Sequence, residues 1–171
     1  MRVSAVHEVS DEIVQAVQRL VPQLSSTAKS PSRAQIEQLV KSGASTLLIA
    51  RDDEAGAVAE PPGAPAEAHA GAVVHGREGA PLGAIVGMLT LAVFRIPTGV
   101  RAWIEDVVVD EHQRGHGVGE ALTQAALELA ASMGARTVDL TSRPSRDIAN
   151  RLYKRMGFEL RETNVYRRRL D

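Results

Sequence analysis

Apolar residues follow two periods along this chain, and the switches between them mark out its elements. Residues 2–7 read as a short strand. Ile13, Val17, Leu20 and Leu24 then recur at the spacing of one helix face. Ser10 stands before them as a cap, and Asp11 and Glu12 occupy the first turn, where carboxylates suit the positive end of a helix dipole. A second helix starts near Ser32, places Ile36, Leu39 and Val40 on one side, and stops at Gly43. Residues 46–50 read as a strand. Two β-rich runs follow at 84–94 and 101–109, joined by a turn over 97–100, which predicts an antiparallel hairpin.

Helical spacing returns with Val118, Leu122, Ala125, Leu129 and Met133, and Gly134 ends that helix. A strand over 137–141 leads to Ser145, read as the cap of a helix whose apolar side holds Ala149, Leu152, Tyr153 and Met156. Gly157 stops it, and two closing strands are expected at 158–161 and 165–170. The order β-α-α-β-β-β-α-β-α-β-β predicts an α/β (mixed α+β) layered domain: a central mixed sheet with helices on its faces.

Residues 54–82 break the pattern. They are rich in Ala, Gly, Pro and Glu and nearly lack large apolar side chains. Such a segment buries too little surface to offset its ordering entropy, so a flexible insertion between two strands is expected. Strand signals resume at once after it, so 1–171 is read as a single domain, which suits a chain of 171 residues.

Composition narrows the function classes. The net charge of -1 gives no field to recruit nucleic acid or an acidic membrane, and no apolar run is long enough to span a bilayer. The 20 basic residues are 17 Arg and 3 Lys, taken as a coding bias. With no cysteine there is no disulfide, thiolate metal site or cysteine-borne acyl intermediate, and a reducing, cytoplasmic setting is expected. The N-terminus lacks the apolar core of a signal peptide.

The informative stretch is IEDVVVDEHQRGHGVGEAL, residues 104–122. An apolar strand runs into a glycine turn that opens an amphipathic helix. Gly115, Gly117 and Gly119 permit close approach to the backbone, and the first amides of a helix lack internal partners and carry partial positive charge. Together they make a seat for a pyrophosphate. The seat is not a P-loop, because the chain has no Gly-Lys pair. Nor does Gly-x-Gly-x-Gly match the Gly-x-Gly-x-x-Gly of a dinucleotide fold.

The run Arg114-Gly115-His116-Gly117-Val118-Gly119 after an apolar strand, with NRLYKRMGF at 150–158, resembles the GNAT superfamily of N-acetyltransferases. The resemblance covers nearly the whole chain; residues 54–82 depart from the family pattern as an insertion. It implies a co-substrate, acetyl-coenzyme A, and no metal. Backbone groups of Val107, Val108 and Val109 would pair with the pantetheine arm as an added strand does. The amides of Arg114, Gly115, His116, Gly117, Val118, Gly119 and Glu120 would hold the pyrophosphate. Asn150 would bond the pantetheine, and Tyr153 would protonate the departing sulfur.

Spacing agrees in part. Asn150 and Tyr153 lie three apart on one helix face, and Asn inside a helix needs some compensation, which a ligand contact would supply. A phenol with a pKa near ~10 is protonated at neutral pH and can donate to a leaving thiolate. Alone, Tyr153 reads as a core residue on the apolar side of its helix; with Asn150 beside it and Gly-Phe following, the acid role is preferred. Glu105 is the first candidate for the base that deprotonates the amine; a strand bulge would bring Asp106 to that face instead, and a water relay is a third route. A covalent acyl-enzyme finds no nucleophile, since both cysteine and a Gly-x-Ser-x-Gly elbow are missing.

His112 and His116, beside the glycines, read as exposed loop residues, and His7-x-x-x-Asp11 reads as an accidental match to another acyltransferase pattern. The expected activity is direct acetyl transfer to a primary amine, small-molecule or peptide, in a ternary complex. The alternative is a non-catalytic acyl-coenzyme A sensor. A monomer or a homodimer suits either reading.

Overall fold

In the computed structural model, residues 1–24, 27–52 and 83–170 are described. The expected insertion at 54–82 lies outside the described residues. Two compact units divide the chain, 1–140 and 141–171.

The first unit holds five strands, β1 (Arg2–Ala5), β2 (Ser45–Arg51), β3 (Ile85–Ile96), β4 (Gly99–Val109) and β5 (Ala135–Leu140). They form one sheet in the order β1-β2-β3-β4-β5, antiparallel throughout except for the parallel β4–β5 pair. The hairpin β3–β4 forms as expected, but its turn is tighter than the run 97–100, since Ile96 already pairs with Gly99. Helix α1 (Asp11–Leu24) starts at Ser10, whose hydroxyl accepts from the Ile13 amide at 3.3 Å. Helix α2 (Arg33–Val40) starts in a capping box between Ser32 and Gln35. Helix α3 (Val118–Ser132) follows β4, and Gly134 takes a positive φ just past its end.

Two layers cover the sheet. On one face Ile13, Val17 and Leu20 of α1 and Ile36 of α2 join Leu47, Ile49, Met88 and Val108 in one buried cluster. On the other, Val118, Leu122, Ala126 and Ala130 bury the side of α3 that lies against the sheet. Gly87 of β3 makes that approach possible, because a methyl there would stand 2.9 Å from Val118 Cγ1 and 3.1 Å from Leu122 Cδ1. Helices thus lie on both faces of a mostly antiparallel sheet.

The second unit holds helix α4 (Asp147–Arg155) and the residues that flank it. Two expectations change here. The cap of α4 is Arg146, without a side-chain cap bond, instead of Ser145. Residues 158–170 carry no strand. Their alternation is strand-like, but a strand exists only through a ladder, and Leu160, Val165 and Leu170 stay exposed with none. Among the described residues no helix is long and apolar enough to cross a membrane.

Candidate functional site

β4 changes character along its length. From Val100 to Ile104 it pairs on both edges, with β3 and with β5. The pairing with β5 stops at Ile104–Leu140, while pairing with β3 continues to Val109. Just past that stop the strand bulges. Thr90 faces Glu105 and Met88 faces Val108, so Leu89 alone is opposed by both Asp106 and Val107. Asp106 takes φ +53°, the left-handed region that only glycine enters freely and Asp and Asn tolerate best.

The bulge decides which backbone groups are spare. The Asp110 amide donates to the Val86 carbonyl at 2.8 Å, so those two residues form a bonded pair. Pairs alternate along an antiparallel ladder, which makes Val108–Met88 bonded as well and turns Val107 and Val109 away from β3. Of the three valines expected to present backbone groups, Val107 and Val109 face the open edge and Val108 faces β3. The Val109 carbonyl there accepts from Arg114 Nε at 3.4 Å. Glu105 and Asp106 both lie exposed at this bend. Glu105 keeps to the face of Thr90, and the bulge that interrupts the alternation begins at Asp106.

After β4 the chain makes a single 3-10 turn, Glu111–Gln113, and enters the glycines. Gly115 and Gly117 both take left-handed backbone, φ +84° and +79°, and a methyl on either would meet no atom within 4 Å. Gly117 is the N-cap of α3 and offers no side chain to its amides. Val118 and Gly119 therefore open the helix, next to the exposed Arg114 and His116, without a cap bond. Val118 packs over Gly87, and Gly87 pairs with Val109, so the helix start sits above the end of the open strand edge. His112 is exposed, as read from the sequence, and its imidazole lies 3.7 Å from the carboxylate of its neighbour Glu111.

On α4, in the second unit, Asn150 and Tyr153 share one face, one turn apart. The Asn150 amide donates to the carbonyls of Arg143 at 3.0 Å and Pro144 at 3.3 Å. The compensation that an asparagine in a helix demands thus comes from the chain's own preceding loop, and its Oδ1 is the atom left for other bonds. Tyr153 stacks edge-on against Phe158 at 5.7 Å between centroids. Burial raises its phenol above the ordinary 10.0, against a smaller opposing pull from the Arg146 charge.

Four residues that the sequence reading passed over shape this corner: Gly87, Asp110, Arg19 and Gln23. Asp110 is buried, and its carboxylate takes Arg19 Nη1 on one oxygen and the His112 amide, at 3.1 Å, on the other. Its position before a turn was a readable capping signal. Nothing in the sequence links it to Arg19, 91 residues away.

β4 thus bulges, loses its β5 partner beyond Ile104, and runs through two left-handed glycines into a helix without a side-chain cap bond. The chain belongs to the acetyltransferase (GNAT) family, whose model matches residues 49–158. It is 41% identical over 61 residues to an uncharacterized N-acetyltransferase of Methanocaldococcus jannaschii; that stretch covers 36% of this chain and 27% of the relative. Among solved structures it is similar to an aminoglycoside acetyltransferase from an uncultured soil metagenomic sample in complex with sisomicin (TM-score 0.72, 16% identity, 99% of this chain and 95% of that one). It is similar also to AAC(6')-Iy in complex with the bisubstrate analog CoA-S-monomethyl-acetylneamine (TM-score 0.66, 15% identity, 100% of both chains).

Proposed function

We propose that residues 1–171 act as one N-acetyltransferase domain that moves the acetyl group of acetyl-coenzyme A to a primary amine by direct attack in a ternary complex. One observation carries the reading. Among the described residues the outer edge of β4 has no strand partner at Val107 and Val109, where the bulge breaks the strand, and the chain runs from there into a helix N-terminus without a side-chain cap bond. An extended amide-bearing arm fits an unpaired strand edge, and a pyrophosphate fits a helix start without a side-chain cap bond. Two relatives of this fold hold an aminoglycoside or an aminoglycoside–coenzyme A conjugate, and an amine acceptor is the class taken over from them.

The amides of Arg114, Gly115, His116, Gly117, Val118, Gly119 and Glu120 then hold the pyrophosphate. Val107 and Val109 hold the pantetheine arm through their backbone, and Asn150 accepts from it through Oδ1. In the transfer, the amine nitrogen bonds to the thioester carbonyl carbon as the carbon–sulfur bond breaks. The charge that develops on the carbonyl oxygen is met by a backbone amide at the bulge. Glu105, directly or through water, takes the proton that the amine sheds. Tyr153, kept protonated by its burial, gives its proton to the leaving sulfur.

Titration with coenzyme A, followed by thiol release from acetyl-coenzyme A over a panel of small amines and peptides, tests the reading. Micromolar binding with amine-dependent release is expected. Binding without amine-dependent release makes the chain a sensor, and no binding at all overturns the site.

A further inference from the structure

The two glycines at the middle of the seat, Gly115 and Gly117, have no side chains with which to hold its shape. Gly115 and Gly117 sit in left-handed backbone, and α3 begins without a cap bond. Downstream the turn is anchored by the buried Val118 and by the Ala121 amide on the Gly117 carbonyl at 2.9 Å; upstream the contacts come from α1. Arg19 sends Nη1 to the buried Asp110 carboxylate and Nη2 to the Ile85 carbonyl at 2.6 Å. Gln23, one turn further along the same helix face, accepts the Glu111 amide on Oε1 at 2.9 Å.

Asp110 is held at every polar group. Its amide donates to Val86 at 2.8 Å, its carbonyl accepts from Gln113 at 2.9 Å, and its carboxylate takes Arg19 and the His112 amide. Residues 110–113, which feed directly into Arg114 and Gly115, are thus tied to β3 and to α1. Arg19 also neutralises a buried carboxylate that would otherwise lie, uncompensated, at the approach to an anion site.

We propose that Arg19 and Gln23 are positioning residues: through Asp110 and Glu111 they set the start of the turn, so that the amides at Gly115–Gly117 converge on the diphosphate. The proposal rests on the reading above, in which those amides hold the diphosphate of acetyl-coenzyme A. It goes beyond that reading in assigning a helix on the opposite layer, which touches no reacting atom, to cofactor affinity.

The test uses the full chain with Arg19→Gln, Arg19→Lys and Gln23→Ala, and two acetyl donors. Acetyl-coenzyme A carries the diphosphate; acetyl-pantetheine carries the same thioester arm without the nucleotide. Loss of a charge-assisted contact at Arg19→Gln should weaken coenzyme A binding by about tenfold, and Gln23→Ala by about threefold. The kcat/KM for acetyl-pantetheine should stay within about twofold of wild type. Arg19→Lys should recover part of the loss, because an ammonium can reach Asp110 but lacks the fork that also takes Ile85.

Hydrogen exchange in ligand-free protein gives a second readout. Amides over 111–117 should exchange faster in Arg19→Gln while those of β3 keep their protection. Equal losses with both donors, or an unchanged coenzyme A affinity, would overturn the positioning role. Wild-type protein that binds no coenzyme A would instead overturn the diphosphate seat; faster exchange in the variants would then still show the brace. Gln23→Ala removes one exposed contact and keeps the test open if Arg19→Gln fails to fold.

Discussion

The corner between β4 and α3 and the helix α4 are built on opposite principles. At the corner the proposed functional groups are main-chain, with no side chain at Gly115 and Gly117 and exposed ones at Arg114 and His116. On α4 the backbone is an ordinary helix and the candidate groups are an amide and a phenol. The first arrangement tolerates changes of side chain but not of φ. The second tolerates changes of backbone neighbour but not of functional group. A set of substitutions that separates affinity from turnover should therefore also separate the two regions.

The largest effect is expected at Gly117→Val. Its φ of +79° excludes a β-branched residue without strain, although the protein itself leaves room for the side chain. Turning away two charge-assisted amide contacts should weaken coenzyme A binding about a thousandfold, beside a loss of about 1–2 kcal/mol in stability from the left-handed strain. Calorimetric titration checks it, and native affinity in the valine variant would remove the diphosphate from this corner. Next is Tyr153→Phe, which keeps the ring that meets Phe158 and deletes the hydroxyl alone. Turnover should fall about a hundredfold while coenzyme A affinity holds. A matched fall in affinity would make Tyr153 a binding residue and erase the division between the regions.

Much of the architecture was legible because local chemistry and tertiary packing agree. Ser10 and Ser32 cap α1 and α2, the stripe of Val118 and Leu122 is buried, and Gly115 and Gly117 take left-handed backbone, while Gly119 lies in the first turn of α3. The bulge was foreseen only as an alternative, since Asp106 in an apolar strand looks like any surface carboxylate until the register shows two residues opposite Leu89. The Arg19–Asp110 contact was invisible, because pairing across 91 residues leaves no local pattern. The closing strands were over-read for a related reason: scattered apolar positions such as Phe158, Leu160 and Val165 report a face, not a partner, and residues 158–170 form no ladder. Asn150 was correctly singled out as an odd helix residue, yet its donors go to Arg143 and Pro144.

A smaller effect tests whether backbone geometry alone makes the bulge. Asp106→Gly relieves the left-handed strain at φ +53° and should leave stability unchanged or raise it by up to ~1 kcal/mol, with coenzyme A affinity kept. Asp106→Val should lose about 1–2 kcal/mol at the same position. Denaturant melts of the two variants check the pair. If glycine abolished turnover at full stability and affinity, the carboxylate of Asp106 would replace that of Glu105 as the base.

The smallest effect divides the pH response between the regions. On the first unit Arg51 is buried and forks onto both oxygens of Glu12, at 2.5 and 2.7 Å, with a further bond to the Gly83 carbonyl at 2.9 Å. The hydrogen bond from Arg51 lowers the Glu12 pKa below its ordinary 4.5, against a smaller upward push from burial. A depressed carboxylate stabilises the fold fully above the unfolded value and loses that contribution as pH falls through the folded one. The gap in unfolding free energy between wild type and Glu12→Gln, read from denaturant melts, should therefore be steady above pH 5 and shrink below about pH 4.5, from under ~1 kcal/mol, since Glu12 is half exposed. Tyr153 acts at the other end: its raised pKa places any loss of acid catalysis above pH 10. Turnover that fell already between pH 8 and 9, with coenzyme A binding intact, would assign the titrating acid to a group other than this phenol.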